Sequence, residues 1–253
     1  METEKKRQKG WSRRQLIAGS MRGLGALFAT GLPGRMAKAA SSPMPLAVIG
    51  AGHIGSTVGG LWVKAGHPVM FATRHPEELT SLTASLGPLA RAGSVPAALG
   101  FGEAVFLAIP YRAMPEFGQN FGPALRGRVV LDAGNAIAAR DGASLAAEAE
   151  AVGIGRLSAR FLPGARLVRA FNTLNYAILA REANRPPPRL AIPIAGDDEQ
   201  ALQVAQTLVR DAGFDPVVVG GLEQARLFQR GGPGYGQAVT ADELRRILGL
   251  PPA

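Results

Sequence analysis

Along residues 45–219, short and nearly continuous apolar runs alternate with longer stretches whose apolar positions recur at helical spacing. The runs Pro45–Gly50, Pro68–Thr73, Ala104–Ile109, Val129–Asp132, Leu167–Phe171, Leu190–Ala195 and Pro216–Val219 predict strands. In Ala104-Val105-Phe106-Leu107-Ala108-Ile109 no polar residue alternates with the apolar ones, so both faces must be buried. That is the property of a strand in a parallel sheet covered by helices on both sides. The clearest helix runs from Asp198 to Ala212, with Asp197 or Asp198 as N-cap, Glu199 in the first turn and Gly213 as the stop. The alternation predicts a doubly wound α/β fold with a mainly parallel sheet and a small C-terminal α/β extension. Glu182–Pro188, with Pro186-Pro187-Pro188, is the linker-like stretch, and nothing repeats at solenoid periods.

The first of these strands, Leu46-Ala47-Val48-Ile49, breaks into Gly50-Ala51-Gly52-His53-Ile54-Gly55 and then into a stretch, Ser56–Lys64, that reads as a helix closed by Gly66. Strand, G-x-G-x-x-G and helix in this order form a dinucleotide cradle and make the fold Rossmann-like. Gly50 permits the tight turn, Gly52 carries no Cβ to hold a pyrophosphate away, and Gly55 lets helix and strand pack closely. Residues 50–55 are therefore the expected cofactor-binding set, with the helix N–H groups facing the phosphates. The second strand ends in Phe71-Ala72-Thr73-Arg74-His75. An NAD site usually has a carboxylate here for the ribose 2′-OH; Thr73 and Arg74 instead offer a hydroxyl and a guanidinium fork suited to a 2′-phosphate, which favours NADP. Glu77 and Glu78 follow Pro76 and fit the first turn of the next helix.

Composition changes this picture mainly at the N-terminus. The chain of 253 residues carries a net charge of +9, but residues 1–39 hold nine Lys/Arg against Glu2 and Glu4, so only +2 remains beyond them. With no basic stripe interleaved with aromatics, nucleic acid is not an expected partner. Residues 1–39 begin with Lys5, Lys6, Arg7 and Lys9 and contain Ser12-Arg13-Arg14-Gln15-Leu16-Ile17, which resembles the twin-arginine export motif. A short apolar segment, Leu24–Ala29, and the cleavage-like triplet Ala37-Lys38-Ala39 follow. The expectation is a leader that brings the folded chain to the twin-arginine translocase and is cut near Ala39/Ala40, leaving a periplasmic protein. The absence of cysteine excludes disulfides and thiolate chemistry, and histidines at 53, 67 and 75 only give no metal cage.

Taken together, several segments resemble the NADP oxidoreductases that depend on the deazaflavin coenzyme F420, a group similar in turn to the cytosolic domain of membrane ferric reductases. The matching pieces are the glycine loop, Thr73-Arg74, Ala108-Ile109-Pro110, Arg169-Ala170-Phe171-Asn172-Thr173, Ala195-Gly196-Asp197-Asp198, Ala212-Gly213-Phe214-Asp215-Pro216 and Leu222-Glu223-Gln224-Ala225-Arg226, in this order across most of 45–236. The leader and the glycine-rich Gly231–Gly236 depart from the family pattern. The resemblance implies an NADP-binding domain over 40–180 and an acceptor-side region over 181–253. It implies hydride transfer between NADP(H) and a planar flavin-like acceptor, F420 or a flavin, which needs aligned rings in a dry slot more than a strong acid or base. On this reading Ile109, Pro110 and Ala170 lie on the nicotinamide side, and Asn172 helps position the ring near the carboxyl end of a strand. Asn135 is a candidate to hydrogen-bond cofactor or to cap a turn. Tyr111 and Tyr235 are wall or surface aromatics, and Gly231–Gly236 borders the cleft. Two other readings stand beside it: an NADPH-dependent ferric or quinone reductase, and a non-catalytic NADP-binding module. Whether the chain forms a homo-oligomer is left open by the sequence.

Overall fold

Side chains on successive strand residues point to opposite faces, and the first strand shows that both faces are covered. Leu46 and Val48 enter one apolar layer and Ala47 and Ile49 the other, none more than 2 % exposed. In this computed structural model, which describes residues 42–252, eight strands form one sheet: β1 (Leu46–Ile49), β2 (Val69–Ala72), β3 (Ala90–Gly93), β4 (Ala104–Leu107), β5 (Val129–Asp132), β6 (Arg166–Arg169), β7 (Ala191–Gly196) and β8 (Asp215–Gly220). The spatial order is β3-β2-β1-β4-β5-β6-β7-β8. Every neighbouring pair is parallel except β6 with β7. The expected leader at 1–39 lies outside the described residues.

The helices are α1 (His53–Lys64), α2 (Thr80–Leu86), α3 (Val95–Phe101), α4 (Met114–Leu125), α5 (Ala138–Asp141), α6 (Ala143–Val152), α7 (Ile154–Phe161), α8 (Tyr176–Glu182), α9 (Glu199–Asp211) and α10 (Ala241–Ile247). One layer is filled by α1, α2, α8 and α9, the other by α3, α4, α6 and α7, which is the doubly wound arrangement. Residues 181–253 add β7, β8, α9 and α10 to this same sheet, with a smaller apolar cluster around Phe228 and Leu244.

Two differences from the sequence reading have local causes. β3 escaped it because Ala90-Arg91-Ala92-Gly93 has no apolar run; it is an edge strand with Arg91 and Ala92 exposed. The helix after the glycine loop starts at His53, not Ser56, since extended Gly52 serves as its N-cap. α9 is as expected, with the Asp198 carboxylate accepting the Ala201 N–H at 2.8 Å.

α1 holds Gly55, Gly59 and Gly60, each costing about 1 kcal/mol of helix propensity relative to alanine. A Cβ on Gly55 would sit 1.8 Å from the Gly50 carbonyl oxygen, and one on Gly59 would sit 2.4 Å from the Phe71 ring. The lost propensity is the condition for close packing on the sheet. Trp62 then anchors the helix: it is 1 % exposed, meets Phe106 and Phe171 edge-on, and donates its indole N–H to the Leu208 carbonyl of α9 at 2.8 Å.

On the other half of the sheet edge, Asp132 and Arg169 are register partners at the ends of β5 and β6, and both are fully buried. The Arg169 guanidinium donates to the Asp132 carboxylate and to the Gly134 carbonyl, while the Gly134 N–H donates to Asp132 Oδ1 at 2.7 Å. Removing one member leaves a buried charge uncompensated, whereas replacing both removes the charges together. Arg169→Met is therefore expected to lower unfolding stability by about 3–5 kcal/mol, read as a shift of the urea midpoint. The double variant Asp132→Leu/Arg169→Met should recover most of that loss, and a single variant as stable as the parent would show that the pair does not hold the strand ends.

Candidate functional site

The carboxyl ends of β1, β2 and β4 open into a cavity of about 770 Å³. Its floor is the turn Gly50–Gly52; Thr73, Arg74 and His75 form one wall, and Ile109, Pro110, Phe117 and Phe121 form the other. The three glycines of the turn have separable causes. Gly50 has φ +95° and a Cβ there would lie 2.5 Å from the Ala108 carbonyl, while Gly55 is excluded from carrying one by Gly50 itself. Both are required by the chain's own packing. Gly52 is not: its φ is −69°, and a Cβ would meet nothing within 4 Å. Open space on a bare Cα at the N-cap of a helix is the space a pyrophosphate fills in a dinucleotide cradle. No side chain caps α1, and its first turn contains no acidic residue, so its positive end is left for an anion.

The second anchor is the turn after β2. Thr73 Oγ1 accepts the His75 N–H at 2.8 Å, which closes the turn and leaves the hydroxyl proton to donate elsewhere. Arg74 is exposed and makes no ion pair among the described residues. Glu77 and Glu78 start the 3₁₀ turn Pro76–Leu79 as expected, although Glu78 also borders the cavity.

The structure separates residues that the sequence reading had grouped. Ile109 and Pro110 line the same cavity as Gly50–Gly52, on the wall opposite Arg74 at the end of β4. Ala170 is fully buried in the core. Asn172 is 4 % exposed and borders neither this cavity nor the second one described below. Its amide donates to the Phe228 carbonyl at 3.1 Å and to Asn135 Oδ1 at 3.4 Å, while Asn135 donates to the Asn172 carbonyl at 2.7 Å. The two asparagines clasp the ends of β5 and β6 to the segment at 228. Tyr111 is fully buried, with its hydroxyl 3.0 Å from Ser158 Oγ. Burial, with the nearby Asp132 charge, pushes its pKa far above the usual phenol value, so it stays protonated.

Gly231 and Tyr235 lie along a second cavity of about 740 Å³, between α6 and residues 229–235. The single cleft expected over Ile109, Pro110 and Asn172 is thus two cavities with residues 135–141 between them. Arg112 borders the first, donating its backbone N–H to Asp141 at 3.2 Å and its side chain to the Arg140 carbonyl; Arg140 in turn donates to the Asn135 carbonyl at 2.7 Å. Burial raises the Asp141 pKa, but hydrogen bonds from Arg140 and from the Ile137 and Arg112 N–H groups outweigh it and hold the carboxyl below the ordinary range.

The sequence reading missed Phe117 and Phe121, whose i,i+4 spacing on one helix was the available signal. It also missed Tyr176, which stacks on His53 with ring centroids 4.2 Å apart and planes 12° from parallel. No local pattern reports that contact, because α8 brings the ring from far along the chain.

Comparison with known proteins agrees with this architecture. The chain is 47 % identical over 47 residues to YjhV of Escherichia coli K12, a stretch covering 19 % of this chain and 34 % of that protein. Among solved structures it is similar to the hypothetical protein SMa0349 of Sinorhizobium meliloti, with 29 % identity, TM-score 0.69, and coverage of 79 % of this chain and 96 % of the other. A candidate F420-dependent NADP reductase of Arthrobacter sp. FB24 shares the fold at 20 % identity and TM-score 0.59, over 72 % of this chain and 87 % of that one. So does 3-hydroxyisobutyrate dehydrogenase of Mycobacterium tuberculosis, at 18 % identity and TM-score 0.52, over 72 % of this chain and 57 % of that one. Residues 45–136, which carry the glycine turn, Thr73, Arg74 and Ile109, match the family described as NADP oxidoreductase, coenzyme F420-dependent, in agreement with the class read from the sequence.

Proposed function

We propose that this protein is an NADP oxidoreductase that passes hydride between NADP(H) and a planar, flavin-like acceptor. The observation that carries the reading is Gly52, whose missing Cβ faces open space in a chain whose neighbouring glycines are each required by packing. The pyrophosphate would lie over Gly52 and the first turn of α1, and the 2′-phosphate would meet the unpaired Arg74 and the Thr73 hydroxyl. Bound NADPH supplies a hydride, two electrons and one proton together, and the acceptor takes its remaining proton from water. The protein's part is to hold the nucleotide, orient it and exclude water. Hydride transfer needs the acceptor, a deazaflavin F420 or a flavin, face to face with the nicotinamide and nearly in contact with it, so the acceptor must reach the nucleotide's own cavity from its open side. Paired Arg13 and Arg14 support a route through the twin-arginine translocase after NADP has been loaded, since the periplasm holds no nucleotide pool.

The two anchors differ in kind and are expected to fail differently. A charge-assisted hydrogen bond contributes about 1.5–3 kcal/mol, so Arg74→Ala should weaken NADP roughly 10- to 150-fold in titration calorimetry while NAD changes little. Equal losses for both nucleotides would remove the 2′-phosphate assignment. Gly52→Val should abolish binding of both with only the small drop in melting temperature of a poorer helix N-cap, because its side chain enters free space. Catalysis is tested by stopped-flow mixing of the NADPH-loaded protein with F420, FMN, a quinone and a ferric chelate. Nicotinamide oxidation by F420 or FMN supports the reading, oxidation by the last two only would make the protein a quinone or ferric reductase, and no oxidation would leave a binding module. For export, Arg13→Lys/Arg14→Lys should retain the full-length chain in the cytoplasm, and unchanged periplasmic delivery would overturn that route.

A further inference from the structure

The sheet order fixes where the rest of a dinucleotide must run. Arg74 follows β2 and Gly52 follows β1, while β4, β5 and β6 lie on the far side of β1 from β2. A nucleotide with one phosphate at Arg74 and its pyrophosphate at Gly52 therefore extends its second half toward the ends of β4–β6. On that side stands a feature to which the proposed chemistry assigns nothing. His53, the first residue of α1, and Tyr176, the first residue of α8, stack face to face across the gap between the two helix N-termini, at 4.2 Å and 12°. Tyr176 is 42 % exposed, so the contact is a surface stack and not part of the core. Asn175 fixes the ring's base by capping α8, its side chain accepting the Ile178 N–H at 3.0 Å. His53 adjoins the open Cα of Gly52, so whatever holds its imidazole shapes the border of the phosphate space.

Resting on the NADP assignment above, we infer that Tyr176 is a positioning residue for the nicotinamide half of the nucleotide: it holds the His53 imidazole as a fixed side wall beside the pyrophosphate and the second ribose. A ring held by stacking loses little freedom when the ligand arrives, which is the physical gain of preorganisation. The contact is between ring faces, and no hydrogen bond of the Tyr176 hydroxyl enters the argument. Phenylalanine should therefore replace tyrosine, and alanine should not.

The test compares two ligands on the full chain. NADP spans both halves of the proposed site, whereas 2′,5′-ADP carries the 2′-phosphate and one 5′-phosphate but no nicotinamide nucleotide. Tyr176→Ala should raise the Kd for NADP about 2- to 10-fold and leave that for 2′,5′-ADP unchanged, and Tyr176→Phe should restore NADP binding. His53→Ala should show the same selective loss, and the double variant His53→Ala/Tyr176→Ala should lose no more than either single one. A purely structural role would move the melting temperature and both ligands alike. Equal weakening of the two ligands, no weakening of NADP, or additive losses in the double variant would overturn the inference while the NADP assignment stands. Failure of the parent protein to bind either ligand would instead overturn that assignment, and this inference with it.

Discussion

The approach of α1 to β1 is the constraint on which the rest of the site depends. With a Cβ at Gly55 placed 1.8 Å from the Gly50 carbonyl oxygen, any other residue would push the helix off the strand. The helix would then no longer begin where β1 ends, and its unpaired N–H groups would not converge on the space over Gly52. The weak intrinsic helicity of a segment with three glycines is offset by tertiary packing, chiefly Trp62, which joins α1 to the aromatic cluster and to the α9 backbone. The phosphate cradle is thus held from the core outward, and its precision does not rely on surface contacts.

The two halves of the sheet edge are built by different means. Around β1 and β2 the shaping is done mostly by backbone: a turn with no side chain at Gly52 and a short loop closed by Thr73 on the His75 N–H. Around β5 and β6 it is done by buried side chains, the Asp132–Arg169 pair beneath and the Asn135–Asn172 clasp above. A turn shaped by backbone presents open space at a helix N-terminus without a side chain of its own. Polar groups bonded to one another and to the Phe228 carbonyl instead tie the strand ends to the segment at 228, while Arg169 Nε and Asn172 Oδ1 stay buried without a partner among the described residues.

This division explains what was legible in the sequence. The turn depends on neighbouring residues and on glycine sterics, so the strand–turn–helix and the grouping of Gly50, Gly52, Thr73 and Arg74 along one cavity could be read directly. The parallel sheet was legible because strands buried on both faces leave unbroken apolar runs, and β3 was not because an exposed edge strand leaves none. Asn172 misled for a reason of the same sort. A polar residue at the end of a strand reads as a ligand contact, yet whether its amide points to a cavity or to a carbonyl is set by Phe228, 56 residues later. Ala170 and Ile109 show that exposure to a cavity cannot be inferred from a strand end alone: one is core and the other lines the first cavity.

Residues 135–141 are where the two halves meet, and their bonding sets how independent the cavities are. Arg112, from the wall of the first cavity, donates to Asp141 and to Arg140, and Arg140 donates to Asn135, which is clasped to Asn172. The Asp141 side chain has no solvent exposure, and the hydrogen bonds it accepts hold it as a carboxylate despite burial. The Arg112 and Arg140 hydrogen bonds lie at the surface, where water can replace them, so the buried Asp141 carboxylate is the group whose pairing would be costly to lose and the one that fixes this segment.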